Sequence, residues 1–352
     1  MKQNKLYAFL VPVVSVIIAL LIASIIIMAV GKNPIEAYSI MISGAFGGSE
    51  QLANTLVKMT PLLLTGLAVG FGFRAGIFNI GAEGQMIMGA LLGAIVAMNV
   101  GSIPSVIAIP VCIIAGMLGG ALWASIAGFL KAFTGAHEVI TTIMLNWIAV
   151  NIASFMVTGP LAVGSGTPKS PEIADSAKLP IVLKVQASEM SIAIFIAVVV
   201  AIIMYIYLEK TTSGYELKGV GFNPYAAEYG GISIKKSIIM TMAISGALAG
   251  MAGIIDILGV APNRFVGELS GGRGFDGIAI ALIGRNNPIG IIFAALLIAA
   301  LRTGSNAMQV QAQIPDDIVS IIQGIVIFLV AAERIVYTIM QLNRKKKGSV
   351  AA

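Results

Sequence analysis

Charged residues are scarce in this sequence. Asp, Glu, Lys and Arg together make up only 11% of the 352 residues, whereas hydrophobic residues make up 58%. Soluble domains carry about 25% charged residues, so the composition excludes an ordinary soluble protein. Uninterrupted apolar runs of about 20 residues, the length that crosses a bilayer core, recur along the chain. We therefore expect an integral membrane protein.

Cysteine and histidine are almost missing as well. The chain has one cysteine, Cys112, and one histidine, His137. A single cysteine excludes a disulfide framework within the chain. No group of His and Cys residues has the spacing of a metal site, so we expect no zinc or haem centre. Cys112 lies in an apolar run, where a thiol usually behaves as a small buried hydrophobe.

The apolar runs predict an all-α fold, because hydrocarbon leaves backbone groups unpaired outside helices and closed barrels. A barrel would show short alternating segments, whereas these runs are long and continuous. We predict about ten transmembrane helices, some discontinuous or re-entrant, in one domain over 1–345 with a basic tail at 346–352. The predicted spans are 8–30, 52–73, 80–98, 104–130, 138–157, 190–208, 237–258, 274–286, 288–306 and 315–335.

Lys and Arg are distributed unequally between the predicted loops. The imbalance favours both termini in the cytoplasm, a long outer loop at 159–189 and a cytoplasmic loop at 209–236. The net charge of +6 then indicates anchoring at the membrane surface and no nucleic-acid partner. A weak similarity between "GFRAGIFNIG" at 72–81 and "GGRGFDGIAI" at 271–280 supports the hypothesis of an inverted 5+5 repeat.

Two motifs look like nucleotide sites but lack the required context. "GRGFDG" at 272–277 matches a dinucleotide fingerprint, yet no strand precedes it. "GISIKKS" at 231–237 lacks the second glycine of a phosphate-binding loop. We expect no ATPase and no catalytic site in this chain.

A polar, glycine-rich stretch interrupts the apolar runs at 72–94. Glycines there predict a non-helical corner, and irregular backbone at membrane depth must face protein or a cavity. Glu138, Thr142 and Asn146 share one face of a later span, which indicates either an interhelical hydrogen-bonding seam or a pore lining. Asp276 suits either a helix N-terminus or a cargo path, and Asn306 suits either a seam or the path. The candidate path residues are Phe73, Phe78, Asn79, Glu83, Gln85, Glu138, Thr142, Asn146, Asp276 and Asn306.

The loop at 209–236 contains a short predicted helix. Asn223 and Pro224 favour helix initiation, and Gly230 and Gly231 favour its end. The residues between them are two tyrosines, two alanines and one glutamate. The alternatives are an ordinary amphipathic turn or a docking helix whose small residues, Ala226 and Ala227, let a partner approach closely.

This loop carries a family resemblance. "KGVGFNPYAAEYGGI" resembles the coupling segment of permease subunits of bacterial ABC importers that serve branched-chain amino acids, simple sugars and nucleosides. Lys218 and Gly219 depart from the family's Arg-Ala at those positions. "NIGAEGQ", "HEVITTIMLNWIA" and "FDGIAIALIGRNNPIGI" also resemble this family, and the nearest likeness is to purine-nucleoside (guanosine) importer permeases.

The resemblance implies a multi-pass permease of the bacterial cytoplasmic membrane. Its expected partners are ABC ATPase subunits, a second related permease, an extracellular substrate-binding lipoprotein and a nucleoside cargo. ATP and Mg²⁺ would bind to the ATPases, and this chain would hold no cofactor. The coupling residues would be Gly221, Asn223, Pro224, Ala226, Ala227, Glu228 and Gly230.

Two alternatives remain open at the level of sequence. One is a simple-sugar ABC permease. The other is an ion-coupled secondary transporter that uses Glu83, Glu138 and Asp276 as coupling carboxylates.

Overall fold

The computed structural model describes residues 5–164, 168–185, 188–267 and 270–331, and helix dominates them. The helices are α1 (Lys5–Ala29), α2 (Pro34–Phe46), α3 (Ser49–Arg74), α4 (Ala82–Asn99), α5 (Ser105–Thr134), α6 (Glu138–Thr158), α7 (Ala193–Lys210), α8 (Thr212–Phe222), α9 (Pro224–Tyr229), α10 (Ile234–Gly259), α11 (Arg273–Ile283), α12 (Pro288–Gln311) and α13 (Asp316–Ala331).

Among the described residues, seven helices are long and apolar enough to cross a membrane: α3, α4, α5, α6, α7, α10 and α12. An eighth is reached if the bent pair α1–α2 counts as one span. The coarse prediction of a multi-pass helical membrane protein is confirmed, whereas ten full spans are not found. The predicted span at 274–286 is α11, whose 11 residues extend only about 16 Å, half of a bilayer core.

Helix α2 was not predicted. Asn33 caps it by accepting a hydrogen bond from the Ile35 N–H at 3.0 Å, and Pro34 occupies its first turn. The axis of α2 turns by 117° from the second half of α1. The basic tail at 346–352 and the last four residues of the predicted final span lie outside the described residues.

The described residues divide into two compact units, one formed by 5–51 with 300–331 and the other lying within Leu52–Ala299. In the first unit, α1 packs against α13, and Gly44 on α2 lies against Ala307 on α12. The second unit contains the predicted corner and the predicted coupling segment.

The core of the second unit is built from α4, α5 and α10. Gly116 and Gly120 on α5 face Gly246 and Gly250 on α10, and Gly89 on α4 joins the same crossing. A methyl group on Gly89, Gly120, Gly246 or Gly250 would overlap the opposing backbone, and one on Gly116 would overlap the Ile254 side chain. Small residues allow such close approach, and interhelical packing in membranes depends on it.

Four short strands lie in the long connections between helices. They are β1 (Lys169–Glu172), β2 (Ile181–Val185), β3 (Ser188–Ser191) and β4 (Arg264–Val266). β1 pairs antiparallel with β4, and β2 pairs with β3. Glu172 contacts Lys178 at 2.7 Å and Arg264 at 3.2 Å, and these cations, Lys178 first, lower the pKa of its carboxyl. The predicted loop at 159–189 is thus partly structured and tied to the α10–α11 connection.

Candidate functional site

The break between α3 and α4 is the corner predicted from the glycines. Helix α3 ends at Arg74, α4 begins at Ala82, and the residues between them are non-helical. Gly76 has a φ of +72°, a left-handed conformation that favours glycine. A Cβ on Gly81 would lie 2.9 Å from the Cβ of Thr142, so α6 approaches the corner too closely for a side chain there.

Asn79 is the anchor of this corner. Its Nδ2 donates to Gln85 Oε1 at 2.9 Å and to Ser245 Oγ at 2.8 Å. Its Oδ1 accepts from the Gly81 N–H and from Gln85 Nε2, both at 2.9 Å. Ser245 in turn donates to the Ala68 carbonyl at 2.6 Å. These side chains are buried, and together they fasten the corner to α3, α4 and α10.

Asn146 fastens the same corner to α6. Its Nδ2 donates to the Ile80 carbonyl at 3.0 Å, and its Oδ1 accepts from the Gly84 N–H at 2.8 Å. Thr142 donates to the Glu138 carbonyl at 2.7 Å, within its own helix. All three members of the predicted polar face are buried. In this structure the face is a hydrogen-bonded seam, the packing alternative considered for it.

Glu83 bridges the corner region to α11. Its Oε1 accepts from the Gly272 N–H at 3.0 Å, and its Oε2 accepts from the Gly274 N–H at 2.7 Å. A carboxylate at a helix N-terminus satisfies free N–H groups and complements the helix dipole. Arg273, the first residue of α11, also pairs with Asp256 of α10. The second of the two segments compared as a repeat therefore contacts α4 and α10.

The remaining candidate path residues have varied surroundings. Glu138 pairs with Lys131, and its carboxylate also accepts from the Phe78 N–H at 3.5 Å. The Phe78 ring is 41% exposed, and its centroid lies 4.7 Å from that of Phe73. Asp276 is half-buried in the first turn of α11. Asn306 is exposed on the part of α12 that belongs to the other unit.

A second face of α6 was missed by the sequence analysis. Trp147 and Phe155 are 64% and 65% exposed, and Asn151, Ser154 and Thr158 are exposed beside them. An open hollow of about 450 Å³ lies along this face, lined by Met144, Trp147, Ile148, Asn151, Ile152 and Phe155. Asn151 donates to the Trp147 carbonyl and Thr158 to the Ser154 carbonyl, both at 2.8 Å within α6, and their remaining hydrogen-bonding capacity favours a neighbour other than lipid. The i, i+4 spacing of Trp147, Asn151 and Phe155 was the sequence signal that could have indicated this face.

The predicted short helix at the loop 209–236 is present as α9. Asn223 caps it by accepting from the Ala226 N–H at 3.1 Å, Pro224 occupies its first position, and Gly230 ends it. Ala226 and Glu228 are exposed, but Ala227 is buried beneath the helix. Of the two small residues expected to admit a partner, only Ala226 is therefore exposed, and their docking role stays a prediction.

Aromatic side chains dominate the exposed surface of this segment. Phe222 at the end of α8 is 89% exposed, and Tyr225 and Tyr229 on α9 are 83% and 98% exposed. Large exposed aromatic groups on a capped helix are typical of an interaction site.

Comparison with known proteins shows the family to which this chain belongs. The pattern of the family described as "Branched-chain amino acid transport system / permease component" matches residues 51–331. The chain is 37% identical to the guanosine ABC transporter permease protein NupP of Bacillus subtilis, across 98% of this chain and 99% of the relative. It is 36% identical to the nucleoside ABC transporter permease protein NupB of Lactococcus lactis, across 99% and 98%.

The glucose ABC transporter permease protein TsgB13 of Haloferax volcanii is 35% identical, across 93% of this chain and 88% of the relative. No solved structure shows a significant match.

Proposed function

Because the chain belongs to the family of branched-chain amino acid transport system permease components, we propose that it forms the path of an ATP-driven nucleoside importer. It is a multi-pass membrane permease component. Two relatives named for guanosine or nucleoside transport align with it over almost its whole length, which supports a nucleoside cargo. The similarly aligned glucose permease makes a simple sugar the second candidate.

The observation that carries the proposal is the exposed aromatic surface of α8 and α9, formed by Phe222, Tyr225 and Tyr229. We propose that ABC ATPase subunits dock there and that ATP and Mg²⁺ bind to those subunits. In this arrangement α8, α9 and both chain termini are cytoplasmic. A substrate-binding lipoprotein docks on the opposite face, where β1–β4 lie.

The exposed face of α6 is the proposed wall of the path. A second permease subunit faces it, and the cargo moves between the two. Trp147 and Phe155 offer rings for a flat base, and Asn151 between them, whose Nδ2 donates to the Trp147 carbonyl, offers its amide oxygen as an acceptor. The buried seam at Asn79 and Asn146 holds this wall in place. Glu83 and Glu138 have structural partners, which disfavours a role in ion coupling.

Uptake by reconstituted complexes tests the proposed function. The proteoliposomes contain this chain with the second permease, the ATPase and the binding protein. They should accumulate radiolabelled guanosine only when ATP is supplied on the side of the membrane that carries the ATPase. Unlabelled nucleosides should compete, and glucose should not. Uptake by this chain alone under an ion gradient would contradict the ATP-driven assignment, and competition by glucose alone would favour the sugar candidate.

The docking surface has its own test. The double variant Tyr225→Asp, Tyr229→Asp should lose the co-purifying ATPase, because it places two charges in an aromatic contact. Val182→Asp on β2, a half-exposed position on the opposite face, is the matched control and should retain the ATPase. Equal retention by both variants would remove α9 from the docking surface.

A further inference from the structure

The end of α8 rests directly on the corner between α3 and α4. A Cβ on Gly221 would lie 2.7 Å from the Arg74 carbonyl oxygen and 2.8 Å from the Gly76 nitrogen. A Cβ on Gly76 would lie 2.8 Å from the Gly221 Cα. The two backbones therefore touch without an intervening side chain, so a displacement of α8 has no flexible group to absorb it.

The start of α8 is equally close to α7. Gly214 packs against the backbone of Tyr207 and Leu208, and Thr211 caps the helix by accepting from the Gly214 N–H at 3.1 Å. The helix is thus held at one end by α7 and at the other by the corner.

Charged groups reinforce the contact between α8 and the corner. Glu209, in the last turn of α7, contacts Lys218 of α8 at 2.9 Å with one oxygen and Arg74 of α3 at 3.5 Å with the other. The three side chains are 19–28% exposed, so water screens them only in part. Arg74 also donates its Nε–H to the Asn286 carbonyl at 2.8 Å, in the turn between α11 and α12.

The corner and Arg74 are both connected to α11. Its N-terminus is held by Glu83 on α4, directly after the corner, and the turn after its C-terminus is held by Arg74. Helix α11 is too short to span the bilayer, and besides these end contacts its Gly274 and Gly277 pack against the backbones of Glu83 and Thr65.

Resting on the proposed docking of an ATPase at α8 and α9, we propose that Gly76, Gly221, Arg74, Glu209 and Lys218 form a coupling joint. The joint transmits movement of the docked helices to the corner and to both ends of α11. Gly221 and Glu209 act as positioning residues: they bind neither ATP nor cargo, but they set how much transport each ATP produces.

Gly221→Ala with Gly219→Ala as its matched control tests the joint. Both glycines lie in α8, so both changes alter helix propensity alike. A Cβ at 219 meets only the Ile232 Cδ1 at 3.8 Å, an ordinary contact, whereas a Cβ at 221 overlaps the corner. In the complete reconstituted complex, we expect Gly221→Ala to lower guanosine moved per ATP hydrolysed by about tenfold, with Gly219→Ala within about twofold of wild type.

Glu209→Gln provides a variant that keeps the shape of the side chain. We expect it to lower the same ratio by about threefold, because both cations lose their shared anion. Glu216→Gln, on the exposed side of α8, is its control and should leave the ratio unchanged. Co-purification of the ATPase and the thermal stability of the complex should match wild type for both test variants.

The outcomes separate the joint from the function on which it rests. Wild-type uptake that needs no ATPase would overturn the proposed function. ATP-dependent wild-type uptake with an unchanged ratio in both Gly221→Ala and Glu209→Gln would overturn the joint alone. Loss of the bound ATPase in both variants would also overturn it, because these residues would then belong to the docking surface.

Discussion

Helices α5 and α6 are consecutive spans joined by a short turn, and each leaves one side uncovered. On α5 every exposed residue from Val106 to Phe133 is apolar. On α6 the exposed side carries Asn151, Ser154 and Thr158 between two aromatic rings. Lipid accepts the first surface without cost. On the second, Asn151 and Thr158 donate to carbonyls of their own helix, and hydrocarbon would leave their remaining hydrogen-bonding capacity unmet. Side chains that are equally exposed in the isolated chain therefore meet different surroundings in the membrane, lipid on α5 and protein or an aqueous path on α6.

The largest expected effect comes from a charge placed on each face at comparable depth. Ile114→Lys on α5 should cost about 2–3 kcal/mol of insertion free energy, because the ammonium group faces acyl chains. Asn151→Lys on α6 should insert normally, because its neighbours are protein or an aqueous path. Folded protein in the membrane fraction is the measurement. Equal losses would mean that both faces meet lipid.

The two faces of α6 itself give the next effect. Asn146→Leu should destabilise the protein by about 2 kcal/mol, because the Ile80 carbonyl and the Gly84 N–H lose their buried partner. Asn151→Leu should leave thermal stability unchanged and reduce uptake. Thermal unfolding in detergent, followed by uptake in proteoliposomes, checks both. A destabilised Asn151→Leu protein would show that this amide is structural.

The smallest expected effect concerns one aromatic ring. Trp147→Leu should lower nucleoside uptake about fivefold, which corresponds to about 1 kcal/mol of lost base stacking. Phe129→Leu on the exposed face of α5 is the control and should transport as wild type. Competition by a series of nucleosides and sugars measures the change. If both variants transport normally, the wall of the path lies on another helix.

The sequence predicted the corner because glycine and polar residues interrupted an apolar run at one place. It also predicted that Glu138, Thr142 and Asn146 share a helix face. It could not decide whether that face lines a path or a seam. Helix α6 carries a second polar face, which includes Asn151, and periodicity alone does not show which of the two faces is buried. Burial depends on where α4 packs, and this contact between distant segments leaves no local pattern.

The ion contacts of the coupling joint were likewise hidden. Arg74 is far from Glu209 and Lys218 in the sequence, and the pairing of the latter two depends on the turn at Thr211 between α7 and α8. Helix α2 was missed for a different reason. Its 13 residues begin at Pro34, directly after the capping Asn33, and a short helix beside a full span resembles a loop in hydropathy.

The glycine crossing of α4, α5 and α10 has a mechanical consequence. Where backbone lies against backbone, no rotamer can change and no side chain can slide to accommodate a shift. The three helices therefore behave as one stiff body with a single stable arrangement. A transport cycle must leave their mutual geometry intact and concentrate its deformation in elements outside this crossing.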